Sequence, residues 1–304
     1  MVSPAQKRET AADLQQAHAV STRHVCGLLE LPRSTYLYQR VTRDDSALCS
    51  ALRDYAARRR RWGYRRLLVL LRREGFNDNH KRVYRLYCEQ GLQVPIRKNR
   101  KTARWRGEKL VAPMAVNERW SMDFVHDSTE QGCKLRMLNI VDEFTRECLW
   151  IEVDSSLSGN RVARVLSFLI ELRGKPQSIL TDNGPEFAGK ALDTWAYEHG
   201  VKQQFIQPGK PMQSGYVESF NGKLRDECLN EHWFTDIGHA QSVIEQWRID
   251  YNMVRPHSSL NNLTPAQFAA KLPPGGVGGK EIPCQDDQKK LEYKTEELSF
   301  KMVV

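Results

Sequence analysis

The 304-residue sequence lacks any long hydrophobic run. No stretch approaches the roughly 18 consecutive apolar residues that a membrane-spanning helix requires, so we expect no membrane partner. The first sixteen residues, MVSPAQKRETAADLQQ, have no apolar core of the kind found in secretory signals, and we expect no export. Hydrophobic residues make up 40% and charged residues 27% of the chain, which is typical of a globular protein long enough for two or three domains.

Paired cysteines are also absent. The seven cysteines are odd in number and scattered, and none forms a CxxC pair; they are Cys26, Cys49, Cys88, Cys133, Cys148, Cys228 and Cys284. This distribution argues against a disulfide framework and against a zinc knuckle. We therefore expect reduced thiols and a cytoplasmic location.

The net charge of +9 is unevenly distributed along the chain. Residues 1–119 contain 26 Lys/Arg and 11 Asp/Glu, a net charge of +15, whereas residues 120–304 contain 20 and 26, a net charge of −6. A basic front joined to an acidic back indicates a polyanion-binding module attached to a carboxylate-rich one. A solubilising charged face is the simpler alternative, but the size of the difference favours nucleic acid.

The basic front is predicted to be all-α. Residues 1–45 show a helix-turn-helix-like pattern, residues 46–93 predict a basic three-helix DNA-binding domain, and residues 94–118 resemble a basic linker. A basic three-helix domain that binds no ligand is the alternative for this segment. The basic residues predicted to contact DNA phosphates or bases here are Arg58, Arg59, Arg60, Arg61, Arg65, Lys81, Arg82 and Arg85.

From Trp120 the hydrophobic pattern changes to that of strands. Three apolar runs with short turns are followed by alternating helices and strands, in the order β-β-β-α-β-α-β-α, with one helix predicted from Pro185 to His199. This order predicts a mixed five-stranded sheet flanked by helices, an α/β domain over residues 119–270. Residues 271–304 begin with PPGGVGG and predict a flexible tail.

Three carboxylates stand in ordered settings within this domain. Asp123 lies inside the run RWSMDFV, Asp182 ends the run SILTD, and Glu218 stands at the head of a predicted helix. Three converging carboxylates would repel one another unless cations neutralised them, and Mg²⁺ prefers such oxygen ligands. Two ions about 3.5–4 Å apart can assist phosphodiester displacement without a protein nucleophile. Each acid also has a purely structural explanation, as a turn former or a helix first-turn charge.

The helix that carries Glu218 also presents polar residues that suit DNA. Glu218, Asn221 and Arg225 are spaced so that they share one face. We therefore expect Asn221 and Arg225, together with Lys210 of the preceding loop, to contact DNA.

The motifs WSMDF, LTDNGPEF, GYVESFNGKLRDECLN and YNMVRPHSSLNNLTPAQF occur in this order between Trp120 and Phe268. Together they resemble the catalytic core of bacterial insertion-sequence transposases related to retroviral integrases, and more narrowly the second-frame product (OrfB) of the two-frame, circle-forming family. The resemblance implies a ribonuclease-H-like fold, an Asp123–Asp182–Glu218 catalytic and metal-binding triad, and two Mg²⁺ or Mn²⁺ ions.

The same resemblance implies donor-end cleavage and strand transfer on terminal inverted repeats and target DNA. It also implies a homo-oligomer on DNA, a first-frame partner protein or fusion, and a nucleoid-associated bacterial enzyme. Two alternatives stay open, a catalytically silent DNA-binding regulator and a simple metal-dependent nuclease on the same fold.

Overall fold

The computed structural model describes residues 3–38, 44–95, 111–206 and 215–272. The chain divides into two compact units, residues 1–50 and 51–304. None of the helices in the described ranges combines the length and apolar character that a membrane span needs. The six cysteines in these ranges are free thiols. The predicted tail beyond residue 272, most of the predicted linker (96–110) and Lys210 lie outside the described residues.

The first unit contains three helices, α1 (Pro4–His18), α2 (Thr22–Leu28) and α3 (Arg33–Tyr36). Ser3 and Gln6 form a reciprocal capping box at the start of α1, which satisfies backbone donors that a helix end leaves free. A small core of Ala11, Val25 and Leu31 holds the three helices together. The unit confirms the predicted N-terminal helical region.

A second helical group comprises α4 (Ser46–Arg58), α5 (Tyr64–Arg73) and α6 (His80–Glu89). α5 and α6 bury their apolar faces, while most of the basic residues stay at the surface. Asn79 caps α6, since its side chain accepts a hydrogen bond from the Lys81 backbone N–H at 2.9 Å.

The remaining described residues are built on a five-stranded mixed sheet. Its strands are β1 (Arg119–Ser128), β2 (Lys134–Asp142), β3 (Cys148–Asp154), β4 (Ser178–Thr181) and β5 (Lys202–Phe205). The spatial order is β3-β2-β1-β4-β5. β1, β2 and β3 pair antiparallel, whereas β4 pairs parallel with β1 and with β5. The predicted mixed sheet is confirmed, and β1 lies at its centre.

Helices cover both faces of the sheet. On one face, Trp120 and Met122 pack with α7 (Gly159–Arg173) and α8 (Lys190–His199). On the other, Val125 packs with α9 (Gly215–Glu227) and α10 (Ile237–Met253). This division follows from the two-residue alternation of side chains along a strand. A last short helix, α11 (Pro265–Ala269), follows α10.

The predicted start of α8 at Pro185 is wrong, because the helix begins at Lys190. The Asp182 carboxylate accepts a hydrogen bond from the Gly184 N–H, which forms a turn directly after β4. Gly189 is then extended, with φ −87° and ψ 154°, at the N-cap. The turn chemistry outweighs the helical pattern of the apolar residues that follow.

The helices α5 and α6 belong to the same unit as the sheet. Arg59, between α4 and α5, and Arg73 of α5 connect this helical group to α10 and to the residue after it. Arg59 forms two hydrogen bonds with Asp250 of α10, at 2.9 and 2.5 Å. Arg73 donates to the Val254 carbonyl oxygen at 2.7 Å, and Trp62 is buried at 3% exposure. Part of the basic sequence is therefore used for packing within the protein.

Candidate active site

Asp123 lies in the middle of β1, on the sheet face that α9 covers. Its neighbours on that face, Ser121 and Val125, are buried, and Asn139 stands directly opposite it on β2. One carboxylate oxygen accepts a hydrogen bond from the Phe124 backbone N–H at 2.8 Å. The half-buried carboxylate is thus held on a rigid strand at the centre of the sheet.

Asp182 and Glu218 are brought to Asp123 by two further elements. Asp182 follows the carboxyl end of β4, the strand that pairs with β1, and Glu218 lies in the first turn of α9. The pKa of Asp123 is raised to about 6, chiefly by burial and further by the negative charges of Asp182 and Glu218. The charges of Asp182 and Glu218 therefore act on Asp123 in the folded chain.

A pair of amides connects Asp123 to α9 and β2. Asn221 Nδ2 donates to Asp123 Oδ2 at 2.7 Å, and Asn139 Nδ2 donates to Asn221 Oδ1 at 2.6 Å. Asn139 is fully buried, and its own Oδ1 has no hydrogen-bond partner. Asn221, which the sequence predicts as a DNA contact, therefore binds the Asp123 carboxylate. Asn139 is not among the site residues predicted from the sequence, although a lone amide within the apolar run Leu138–Val141 is a signal.

The donor set suits a hard divalent cation. Carboxylate oxygens are the ligands that Mg²⁺ and Mn²⁺ prefer. Burial chiefly raises the pKa of Asp123, and the negative charges of Asp182 and Glu218, which a cation would neutralise, add to the rise. Within the described residues, no three His, Cys, Asp or Glu side chains are grouped as in a formed metal site. Asp123, Asp182 and Glu218 fit a metal by their chemistry, and ligation would draw them closer together.

The residues predicted to bind DNA fall into three groups. Arg58, Arg60, Arg65, Lys81 and Arg225 are exposed, and Arg225 donates a long hydrogen bond of 3.4 Å to the His126 carbonyl. Arg61 and Arg85 are exposed but lie 3.2 Å from carboxylate oxygens of Glu231 and Glu89. Arg59 and Arg82 are half-buried and make ion pairs of 2.5 and 2.6 Å with Asp250 and Asp78.

Other acidic and basic residues near the site have structural roles. Asp142 is buried and accepts hydrogen bonds from the backbone N–H groups of Asn117, Phe144 and Thr145, which shapes the turn after β2. Glu143 binds Arg119 at 2.7 Å and the Ser121 hydroxyl. These contacts explain why Asp142 and Glu143 are buried in this turn.

Comparison with known protein families agrees with this architecture. Two models described as an integrase core domain match residues 113–211 and 199–265. A model described as an HTH-like domain matches residues 43–100, which include α4, α5 and α6.

Relatives from insertion elements match most of the chain. The "Insertion element IS407 uncharacterized 31.7 kDa protein" of Burkholderia multivorans is 50% identical over 253 residues, covering 83% of this chain and 91% of that protein. The "Insertion element IS476 uncharacterized 39.2 kDa protein" of Xanthomonas euvesicatoria is 46% identical, covering 88% and 78%. The "Transposase InsF for insertion sequence IS3A" of Escherichia coli is 23% identical, covering 75% and 82%.

One solved structure shows the fold at lower identity. A chain in the cryo-EM structure of the simian T-cell lymphotropic virus intasome with PP2A regulatory subunit B56 gamma superimposes with a TM-score of 0.50 and 18% identity. The match covers 77% of this chain and 79% of that chain. The chain is 50% identical to an insertion-element relative over 91% of that relative's length. It therefore belongs to the insertion-sequence transposase family with an integrase core domain.

Proposed function

We propose that the protein is a DNA transposase that cleaves the donor ends of an insertion sequence and transfers the cleaved strands to target DNA. Asp123, Asp182 and Glu218 are proposed as the catalytic acids and as the ligands of two Mg²⁺ or Mn²⁺ ions. The observation that best supports the proposal is that the negative charges of Asp182, directly after β4, and of Glu218, in the first turn of α9, act on Asp123 of β1.

The chain itself supplies position and charge at this site. When bound, divalent ions stabilise the negative charge that develops on the phosphate oxygens during displacement. Asn221 holds the Asp123 carboxylate through the 2.7 Å hydrogen bond. Arg225 lies seven residues after Glu218 on α9, about two turns along the same face, and is exposed. A DNA strand that placed its phosphate near Glu218 would therefore pass within reach of the Arg225 guanidinium.

DNA is the proposed partner, bound at terminal inverted repeats and at the target. The exposed basic residues of the helical group and the net charge of +15 over residues 1–119 support this role. The five-part division stays a prediction, with the core at 119–270 and helical modules at 1–45 and 46–93. Action as a homo-oligomer together with a first-frame partner or fusion belongs to the same proposal.

The test incubates purified protein with labelled insertion-sequence ends and Mg²⁺. Asp123→Asn, Asp182→Asn and Glu218→Gln are each expected to abolish cleavage and joining while duplex binding persists. Asp226→Asn is the matched control, because Asp226 is exposed on α9 but lies about 80° around the helix from Glu218. Full joining by all three triad variants would refute the assignment.

The same assay separates the alternatives. Hydrolysis without any joined product would indicate a simple nuclease on this fold. Binding without cleavage, in the presence of any first-frame partner, would indicate a DNA-binding regulator. The presence of all three acids in the sequence favours the enzyme over the regulator.

A further inference from the structure

A cluster of cations lies beside α9, away from the face that carries Glu218. We call Arg66 of α5, Arg146 of the β2–β3 turn, Lys223 of α9 and Arg255 after α10 the cationic cluster. The charges of all three arginines act on Lys223. Lys223 follows Glu218 by five residues, which places it about 140° around the helix from that acid. The cluster is therefore separate from the triad.

One carboxylate is paired within the cationic cluster. Arg255 donates to the two Glu227 oxygens at 2.8 and 2.5 Å, and Arg66 Nη1 lies 3.6 Å from the same carboxylate. Four cations against this one carboxylate leave an excess of three positive charges. Nearby His257 adds none at neutral pH, because burial lowers its pKa to about 3.

Arg146 and Lys223 are the members that have no acidic partner among the residues that the structure describes. The Arg146 guanidinium stacks 3.7 Å above the Tyr216 ring, and its Nη1 is buried without a hydrogen-bond partner. Lys223 Nζ lies 5.8 Å from the centre of the Tyr251 ring, and no described carboxylate is within ion-pair distance of it. Aromatic faces support the two cations but accept none of their conventional hydrogen bonds.

The excess positive charge of the cationic cluster destabilises the fold unless an anion is bound. Burial, together with the charges of Arg255, Arg66 and Arg146, lowers the pKa of Lys223 to about 8. Buried charges are normally paired, because an uncompensated charge loses its hydration. Lys223, Arg146 and Arg66 remain partly exposed, so an anion arriving from solvent can contact them.

We propose that the cationic cluster binds a phosphodiester group of the DNA backbone, at a site distinct from the reacting phosphate. Guanidinium groups match phosphate oxygens in geometry as well as charge. Lys223 and Arg146 supply the unpaired donors, while Glu227 holds Arg255 and Arg66 in place. The inference rests on the proposed function only in taking DNA as the substrate.

The test measures the salt dependence of binding to a random-sequence duplex for Lys223→Gln and Arg146→Gln. Each variant should reduce the slope of log K against log salt by about 1, the value expected for one lost phosphate contact. The melting temperature of Lys223→Gln should not fall, because the substitution removes a poorly compensated charge. Lys175→Gln is the control, since Lys175 is an exposed lysine before the amino end of β4.

Three outcomes would overturn the inference. First, the salt slope of DNA binding could stay at the wild-type value in both Lys223→Gln and Arg146→Gln. Second, the control Lys175→Gln could lower that slope as much as these two variants do. Inorganic phosphate could raise the melting temperature of the wild type alone while the DNA slope stays unchanged, which would assign the cluster to a small anion. If Lys223→Gln does not fold, Arg146→Gln carries the test. Failure of the proposed function is distinct, because it appears as absence of cleavage by the wild type.

Discussion

Replacing Asn139 by leucine should separate catalysis from stability. The substitution keeps a side chain of similar size but removes the 2.6 Å hydrogen bond to Asn221. Losing that bond lowers the free energy of unfolding by about 1 kcal/mol. Removing the buried, unpartnered Oδ1 raises it by about 1–3 kcal/mol, because that atom no longer has to be desolvated on folding. The two effects oppose each other, so the free energy of unfolding should change by no more than about 1–2 kcal/mol.

Cleavage should respond much more strongly. Without Asn139 the Asn221 amide can rotate, and Asp123 loses a donor held in one orientation. Misplacement of a catalytic group by about 1 Å can cost up to about 100-fold in rate. We therefore expect single-turnover cleavage of a labelled end to slow by about 10- to 100-fold, equivalent to about 1.4–2.8 kcal/mol.

A double-mutant cycle decides whether Asn139 acts through Asn221. The double variant Asn139→Leu/Asn221→Ala should be no slower than Asn221→Ala alone, because both changes break the same connection. Met137→Leu, an apolar exchange on the same face of β2, controls for altered packing. Wild-type cleavage by Asn139→Leu, or rate losses that multiply in the double variant, would refute the reasoning.

Three further predictions concern charge. The pKa of Asp123 is raised to about 6, so in metal-free buffer the protein should lose up to about 3 kcal/mol of stability as pH rises from about 4 to 6. Asp123→Asn should flatten that melting profile, and an unchanged profile would contradict it. Arg59→Ala should lower the melting temperature with little effect on the salt slope of DNA binding, because Arg59 pairs with Asp250. Arg65→Ala should lower the salt slope but leave the melting temperature unchanged, because Arg65 is exposed. Glu227→Gln should destabilise the fold by about 3–5 kcal/mol in urea unfolding, since Arg255, 2% exposed, would lose its charged partner; a change below about 1 kcal/mol would refute this.

Much of the fold follows from local patterns. The apolar alternation around Asp123 predicts β1, and the amphipathic repeat before Gly174 predicts α7, because both periodicities are set by backbone geometry alone. The start of α8 was harder to predict, since the Asp182 side chain forms a turn that the apolar pattern does not record. The order of the motifs also predicts Asp123, Asp182 and Glu218 as the candidate triad.

By itself, the sequence determined the class of the sheet, the family and the candidate triad. The hydrogen-bond partners of the polar residues depend on the three-dimensional packing. Asn221 binds Asp123 across 98 residues of sequence, and Arg59 binds Asp250 across 191. Such partners depend on how helices pack against the sheet, and a residue's type states only that it can donate or accept a hydrogen bond. For the same reason, composition showed an excess of positive charge, while the fold determined which arginines pair internally and which remain available to DNA.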